Sequence, residues 1–117
     1  MITRYAMFTG RVKPGAEAAM RAWVDTHLTP LWRQFACAKE VRVLWGVVQD
    51  PDGPPIPLVL AITYADAADM QAALDSPARY AARDLLPELY ERFFEDVRLW
   101  HYVFDQKPED AGMKADA

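Results

Sequence analysis

Two hydrophobic patterns alternate along the chain, and their order predicts its elements. Four short segments are rich in β-branched and aromatic residues, as strands are, and they cover residues 2–9, 41–48, 58–64 and 97–104. Two other segments place apolar residues three and four positions apart, which is typical of one face of a helix, and they cover residues 16–35 and 66–94. The predicted order is therefore βαββαβ.

Prolines and glycines predict where these elements end. Residues 13–15 form a turn into the first helix, and residues 49–57, with four prolines and one glycine, predict a hairpin loop. Three further prolines predict interruptions of the helical segments, at Pro30, Pro77 and Pro87. Thr29 and Ser76 precede the first two of these, so we expect each to be the N-cap of a renewed helix.

This order packs as a ferredoxin-like α+β domain, a four-stranded antiparallel sheet with two helices on one face, over residues 1–104. The polar, charged residues 105–117 predict a flexible tail. Helices cover only one sheet face, but the strands carry large apolar residues on both faces. Each large apolar side chain left in water forgoes about 1.5–3 kcal/mol of the free energy that burial would contribute. We predict a homodimer in which two sheets face each other. The alternative is a monomer that binds another protein through this face.

The composition limits the classes of partner and the cellular compartment that we expect for the protein. The 117 residues fit one domain, and the net charge of −4 offers no basic patch for nucleic acid. Cys37 is the single cysteine, which excludes an internal disulfide and fits a reducing compartment. The first residues contain Arg4 and no apolar run long enough for a signal peptide or membrane span, so we expect a cytoplasmic protein without membrane contact.

His27 is the first candidate for chemistry. The helical spacing places it on the apolar stripe with Trp23, and we expect it to point inward. It is the one side chain on this stripe that can transfer a proton near neutral pH, so it is predicted to be a general acid or base. The alternative is a structural histidine that bonds a backbone carbonyl.

Other residues complete the candidate site. Tyr64 and Tyr80 could donate hydroxyl hydrogen bonds to an oxyanion, and Asp84 could orient the imidazole or be a solvated surface charge. Trp23 and Trp100 would line a pocket for an aromatic substrate or simply pack.

Further charged residues leave alternatives open. Strand arginines at positions 4, 42 and 98 could hold a carboxylate but are more typical of sheet edges, and the face of His101 depends on one residue of register. The candidate metal ligands lie on different elements without ligand-like spacing, so no metal site is predicted.

The run Trp23-x3-His27-x2-Pro30, the element order and the Ser76-Pro77 helix start together resemble the EthD family of the dimeric α+β barrel superfamily, over residues 2–104. The resemblance implies a dimer closed by sheet contact and a pocket between helices and sheet, with His27 at the position of the family's helix histidine. Plant polyketide cyclases of this superfamily carry a His-Pro-x-His motif where this chain has Ser76 to Arg79, so their mechanism does not carry over.

We therefore predict an enzyme without cofactor that acts on a small aromatic, lactone or polyketide-like substrate by proton transfer at His27, in isomerisation, cyclisation or decarboxylation. One alternative is a cofactor-free monooxygenase whose deprotonated substrate reduces oxygen. Another is a non-enzymatic binding or accessory protein for a hydrophobic metabolite. Fold alone does not choose among these.

Overall fold

The structure, a computed structural model, describes residues 1–107. Its elements are β1 (Ile2–Val12), α1 (Glu17–His27), α2 (Thr29–Trp32), β2 (Glu40–Trp45), β3 (Leu58–Tyr64), α3 (Ala67–Leu74), α4 (Pro77–Phe93) and β4 (Phe94–Asp105). The strands form one antiparallel sheet in the order β2-β3-β1-β4, which confirms the predicted ferredoxin-like fold. Within the described residues, no helix has the length and apolar character needed to cross a membrane.

The helices cover one face of the sheet. On β1 this face carries Ala6 and Phe8, and their cross-strand partners on β3, Leu60 and Leu58, are buried with them. The core between sheet and helices also contains Met20, Trp23, Val24, Leu28, Trp32, Ile62, Tyr64, Ala82, Leu89 and Phe93. Six of the seven residues of β3 are buried, including Ala61 and Thr63 on the face without helices, which agrees with the burial predicted from its apolar run.

No helix covers the other face. Its exposed large apolar side chains are Leu44, Trp100, Tyr102 and Phe104. The rings of Tyr102 and Phe104 stack with centroids 6.3 Å apart, and Tyr5 meets the Phe104 ring edge-on at 5.5 Å. We call these five side chains the open-face cluster.

Three strand boundaries differ from the sequence prediction by three residues. β4 begins at Phe94, before the predicted start at Val97. β1 continues through Gly10 to Val12, because its pairing with β4 runs on to that residue with one register shift. β2 ends at Trp45, before the predicted end at Val48, since the Gly46 N–H bonds the Pro57 carbonyl at 3.0 Å and closes the hairpin there.

The helix starts also differ in detail. Leu28, not Thr29, is the N-cap of α2, and the Thr29 hydroxyl donates to the Asp25 carboxylate at 3.4 Å. Ser76 is the N-cap of α4, but its hydroxyl donates backwards to the Ala73 carbonyl at 2.6 Å. The predicted interruption at Pro87 is wrong: α4 passes through it.

The expectation that His27 points inward is wrong. His27 is exposed at the last residue of α1, and Leu28 occupies the buried position beside it. The most buried positions, Met20, Val24 and Leu28, follow one another at a spacing of four residues, and His27 lies beside this line.

The predicted tail begins inside the sheet. Asp105 is the last residue of β4, and the Gln106 N–H bonds the Met1 carbonyl at 2.8 Å. The rest of the tail prediction, residues 108–117, lies outside the described residues.

Gly10 has a φ of +138°, and a Cβ there would lie 2.1 Å from the Asp96 carbonyl oxygen. We expect Gly10→Ala to lower the free energy of unfolding by about 3 kcal/mol or more, because it combines backbone strain with a backbone clash. Gly15→Ala is the matched control: its φ is +77°, but a Cβ there meets nothing within 4 Å, so only about 1–2 kcal/mol should be lost. Urea unfolding measures both, and equal losses would contradict the clash.

Candidate functional site

The residues predicted to form one site lie in four places: on the open sheet face, on β3, on α1 and on α4. Trp100 is on the open sheet face, where its indole N–H donates to the Thr9 hydroxyl at 3.0 Å. Tyr64 is buried on the helix-covered face of β3. A sheet separates these two side chains, so Trp100 cannot line a pocket with Tyr64 in the same subunit.

Trp23 and His27 lie together on α1, with ring centroids 4.9 Å apart. Trp23 is buried, its indole N–H donates to the Glu88 carboxylate at 3.2 Å, and its ring packs 6.0 Å from that of Phe93. These contacts give Trp23 a packing role. The assignment of His27 as acid or base stays a prediction.

Tyr80 and Asp84 are exposed on α4. The guanidinium carbons of Arg79 and Arg83 lie 5.4 and 5.0 Å from the Tyr80 ring centroid. The Asp84 carboxylate pairs with Arg83 at 3.6 Å, on the protein surface. Asp84 is therefore partnered by a neighbouring arginine.

A different set of polar side chains converges where β3 ends and α4 begins. Arg4 pairs with Ile62 across β3 and with Val103 across β4. Tyr64 and His101 each lie two residues from these partners, so both are diagonal neighbours of Arg4 on the helix-covered face. The charge of Arg79, in the first turn of α4, acts on both Arg4 and His101. We call Arg4, Tyr64, Arg79 and His101 the basic cluster.

The environment keeps the imidazole of the basic cluster neutral. His101 is exposed on the edge strand β4, but its ring is partly desolvated; this desolvation, followed by the charges of Arg4 and Arg79, lowers the pKa of His101 to about 4. Its ring is therefore unprotonated at neutral pH, and one ring nitrogen can accept a hydrogen bond. Burial raises the pKa of Tyr64 to about 12, although the charge of Arg4 opposes the shift, so the phenol stays a hydrogen-bond donor.

The two arginines bring positive charge without a protein counter-ion. Burial lowers the pKa of Arg4, and the Arg79 charge adds to this while Tyr64 opposes it. Among residues 1–107, no carboxylate lies within 4.0 Å of either guanidinium in an ion pair. Arginine remains charged in proteins and presents a fork of donors that fits a carboxylate. The arrangement can therefore bind an anion beside a neutral base.

Only weak signals for this cluster are present in the sequence. Arg4 has the same parity along β1 as the buried Ala6 and Phe8, which indicates its face once β1 is recognised. The place of His101 can be assigned only when the register of β4 is known, and the place of Arg79 only when the packing of α4 on the sheet is known.

No metal site was found in the described part of the chain: nowhere in residues 1–107 do three His, Cys, Asp or Glu side chains form a group that could hold an ion. The basic cluster offers one imidazole and two cations, which repel a metal ion.

Known structures resemble this chain in fold. An EthD family protein of Bacillus halodurans matches 92% of this chain and 99% of its own, with a TM-score of 0.68 and 16% identity. A candidate antibiotic biosynthesis monooxygenase of Deinococcus radiodurans matches 97% of this chain and 100% of its own, with a TM-score of 0.65 and 16% identity. A dimeric protein of unknown function from Bacteroides fragilis, with a ferredoxin-like fold, matches 88% of this chain and 96% of its own, with a TM-score of 0.52 and 11% identity.

The chain has the ferredoxin-like fold of EthD proteins. At these identities the likeness concerns fold alone, and it agrees with the resemblance drawn from the Trp23-His27-Pro30 run. No protein-family model and no curated protein matches the chain.

The lowered pKa of His101 predicts an acid sensitivity. Between pH 6.5 and about 4 the unfolded chain binds a proton at this residue that the folded chain does not, so stability should fall as the pH falls through this range. Urea unfolding at pH 7 and pH 4.5 should therefore show a smaller acid-induced loss for His101→Asn than for the unsubstituted chain. Equal losses in both proteins would show that His101 is not held neutral by its surroundings.

Proposed function

We propose that the basic cluster binds a small aromatic molecule with an acidic group and that His101 transfers a proton on it without a cofactor. One observation carries the proposal: Arg4 and Arg79 lack protein carboxylate partners within residues 1–107 and act on a neutral imidazole. Oppositely charged ligands bind where such charges are partly desolvated.

Ligand binding itself would activate the base. Desolvation is the first cause of the lowered pKa of His101, and the charges of Arg4 and Arg79 are the second. An anion between the two arginines offsets their part of the shift, so we expect the pKa of His101 to rise when the ligand is bound. The neutral imidazole then accepts a proton from a phenol or from a carbon next to a carbonyl, and the imidazolium returns it to another atom of the substrate. The Tyr64 hydroxyl donates a hydrogen bond to the oxygen that gains charge.

This chemistry covers the isomerisation, cyclisation and decarboxylation predicted from the sequence, but places the base at His101. The aromatic part of the ligand can meet the Tyr80 ring, which is 39% exposed next to Arg79. A monooxygenase reaction on the same deprotonated substrate is the second candidate, supported by the likeness to the candidate monooxygenase. Binding without turnover is the third.

Binding of 4-hydroxybenzoate and of its neutral methyl ester, measured by calorimetry, tests the anion site. We expect the acid to bind more tightly than the ester. Arg4→Gln and Arg79→Gln should each weaken binding of the acid about tenfold or more, since each removes a charged hydrogen-bond donor. Arg33→Gln, at an exposed arginine of the α2 C-cap, is the matched control and should bind as before. Equal binding of acid and ester would contradict the proposal.

The two histidines can be separated by exchange of substrate protons for deuterium in D₂O, followed by NMR with a library of hydroxyaryl acids. The proposal expects His101→Asn to abolish exchange while benzoate binding persists, and His27→Asn to retain both. If only His27→Asn lost exchange, His27 would be the base, as the sequence resemblance implies. Oxygen consumption in the same assay would favour the monooxygenase reaction.

We also propose that the open-face cluster is buried against a second copy of the chain. Four large apolar side chains on this face are exposed, and burying each would gain about 1.5–3 kcal/mol. The dimeric state of the Bacteroides fragilis protein supports this assignment.

A charge in the open-face cluster should separate the copies. Tyr102→Glu is expected to convert a dimer into a species of 13.3 kDa in light scattering, because a buried unpaired carboxylate opposes association. Tyr80→Glu is the control, since Tyr80 is a similarly exposed tyrosine on the helix side. A monomeric unsubstituted chain at 100 μM would contradict the proposal.

A further inference from the structure

A cavity lies at the opposite end of the sheet from the basic cluster. Its volume is about 740 Å³, within the range of about 300–1,000 Å³ typical of small-molecule sites. It lies between the first turns of α1, the end of β1 and the loop 46–57. Arg11, in its wall, is seven residues from Arg4 along β1, or about 23 Å of strand, so the two places are distinct.

The loop wall of this cavity is held in shape. The Gly10 N–H bonds the Pro55 carbonyl at 2.9 Å, and the Gly46 N–H bonds the Pro57 carbonyl at 3.0 Å. The prolines of the loop also fix their own backbone angles. A ligand would therefore meet a preformed wall and lose little of its affinity to ordering the loop.

The loop wall is also apolar. Val47 and Val48 line the cavity and are 82% and 92% exposed, although side chains of this type gain from burial. Ile56 and the loop prolines continue the same surface.

The helix wall carries two charges that do not pair. Glu17 and Arg21 are one turn apart on α1, a spacing at which opposite charges usually meet, but within residues 1–107 they form no ion pair. The Arg21 guanidinium lies 5.4 Å from the Trp45 ring centroid and donates one long bond of 3.4 Å to the Gly46 carbonyl. Its Nε is buried with no acceptor.

The other charges of the cavity are already neutralised. Arg11 contacts Glu95 at 3.9 Å and Asp96 at 3.1 Å. The cavity therefore presents one carboxylate and one guanidinium beside an apolar wall.

We propose that this cavity binds a free amino acid with an apolar side chain. The carboxylate of the ligand pairs with Arg21, its ammonium group pairs with Glu17, and its side chain covers Val47 and Val48. A simple acid or a simple amine would leave one of the two protein charges without a partner, so a zwitterion fits better.

Calorimetry on the full chain tests this with three probes: L-leucine, N-acetyl-L-leucine, which has no ammonium group, and isopentylamine, which has no carboxylate. We expect L-leucine to bind at least about tenfold more tightly than either analogue, because each analogue loses one charged hydrogen-bonded pair. Equal affinity for all three, or no heat with L-leucine at 10 mM, would overturn the proposal.

Glu17→Gln and Arg21→Gln should each weaken L-leucine binding about tenfold, and Arg33→Gln should leave it unchanged. Glu17 is exposed, so Glu17→Gln tests the site even if Arg21→Gln disturbs the packing on Trp45. Unchanged leucine affinity in Glu17→Gln would refute the proposal. Because the two places are separate, binding of 4-hydroxybenzoate should be the same in Glu17→Gln, and failure of one site leaves the other testable.

Discussion

A guanidinium on an inner strand is the constraint on which this molecule's candidate chemistry depends. Arg4 lies on β1, between β3 and β4, and part of its hydration is lost under the helix layer. A buried charge is costly without a partner, yet the described residues 1–107 place no carboxylate within an ion pair of it. The charge that the protein leaves uncompensated is the charge that a ligand can compensate. The neutral state of His101 follows first from the partial desolvation of its ring and then from this charge and that of Arg79.

A second constraint is that the helices cover only one sheet face. The covered face holds the core and, at one end, the basic cluster; the other face keeps large apolar side chains in water. Association of two sheets would bury them without touching the helix side. Under this arrangement the fold separates the surface for assembly from the surface for chemistry, so a change at Tyr102 need not alter the site around Arg4.

The fold could be predicted because its signals are local. Turn residues 13–15 and the proline-rich loop 49–57 divide the chain, and β3 shows by its continuous apolar run that it lies inside the sheet. The site could not be predicted as well, because it depends on register and packing. His27 lies at the edge of an apolar stripe, and helical spacing alone does not decide whether such an edge position is buried; here Leu28 is buried and His27 is exposed. His101 and Arg4 become neighbours only when β4 pairs with β1 in one register.

The most direct test of the account is an NMR pH titration of the His101 imidazole, with and without saturating 4-hydroxybenzoate. The account predicts a midpoint near pH 4 in the free protein and a higher midpoint with the ligand, since the bound carboxylate offsets the charges of Arg4 and Arg79. A midpoint near 6.5 that the ligand does not move would show that the arginines do not act on this imidazole, and it would contradict the assignment of the basic cluster as the site.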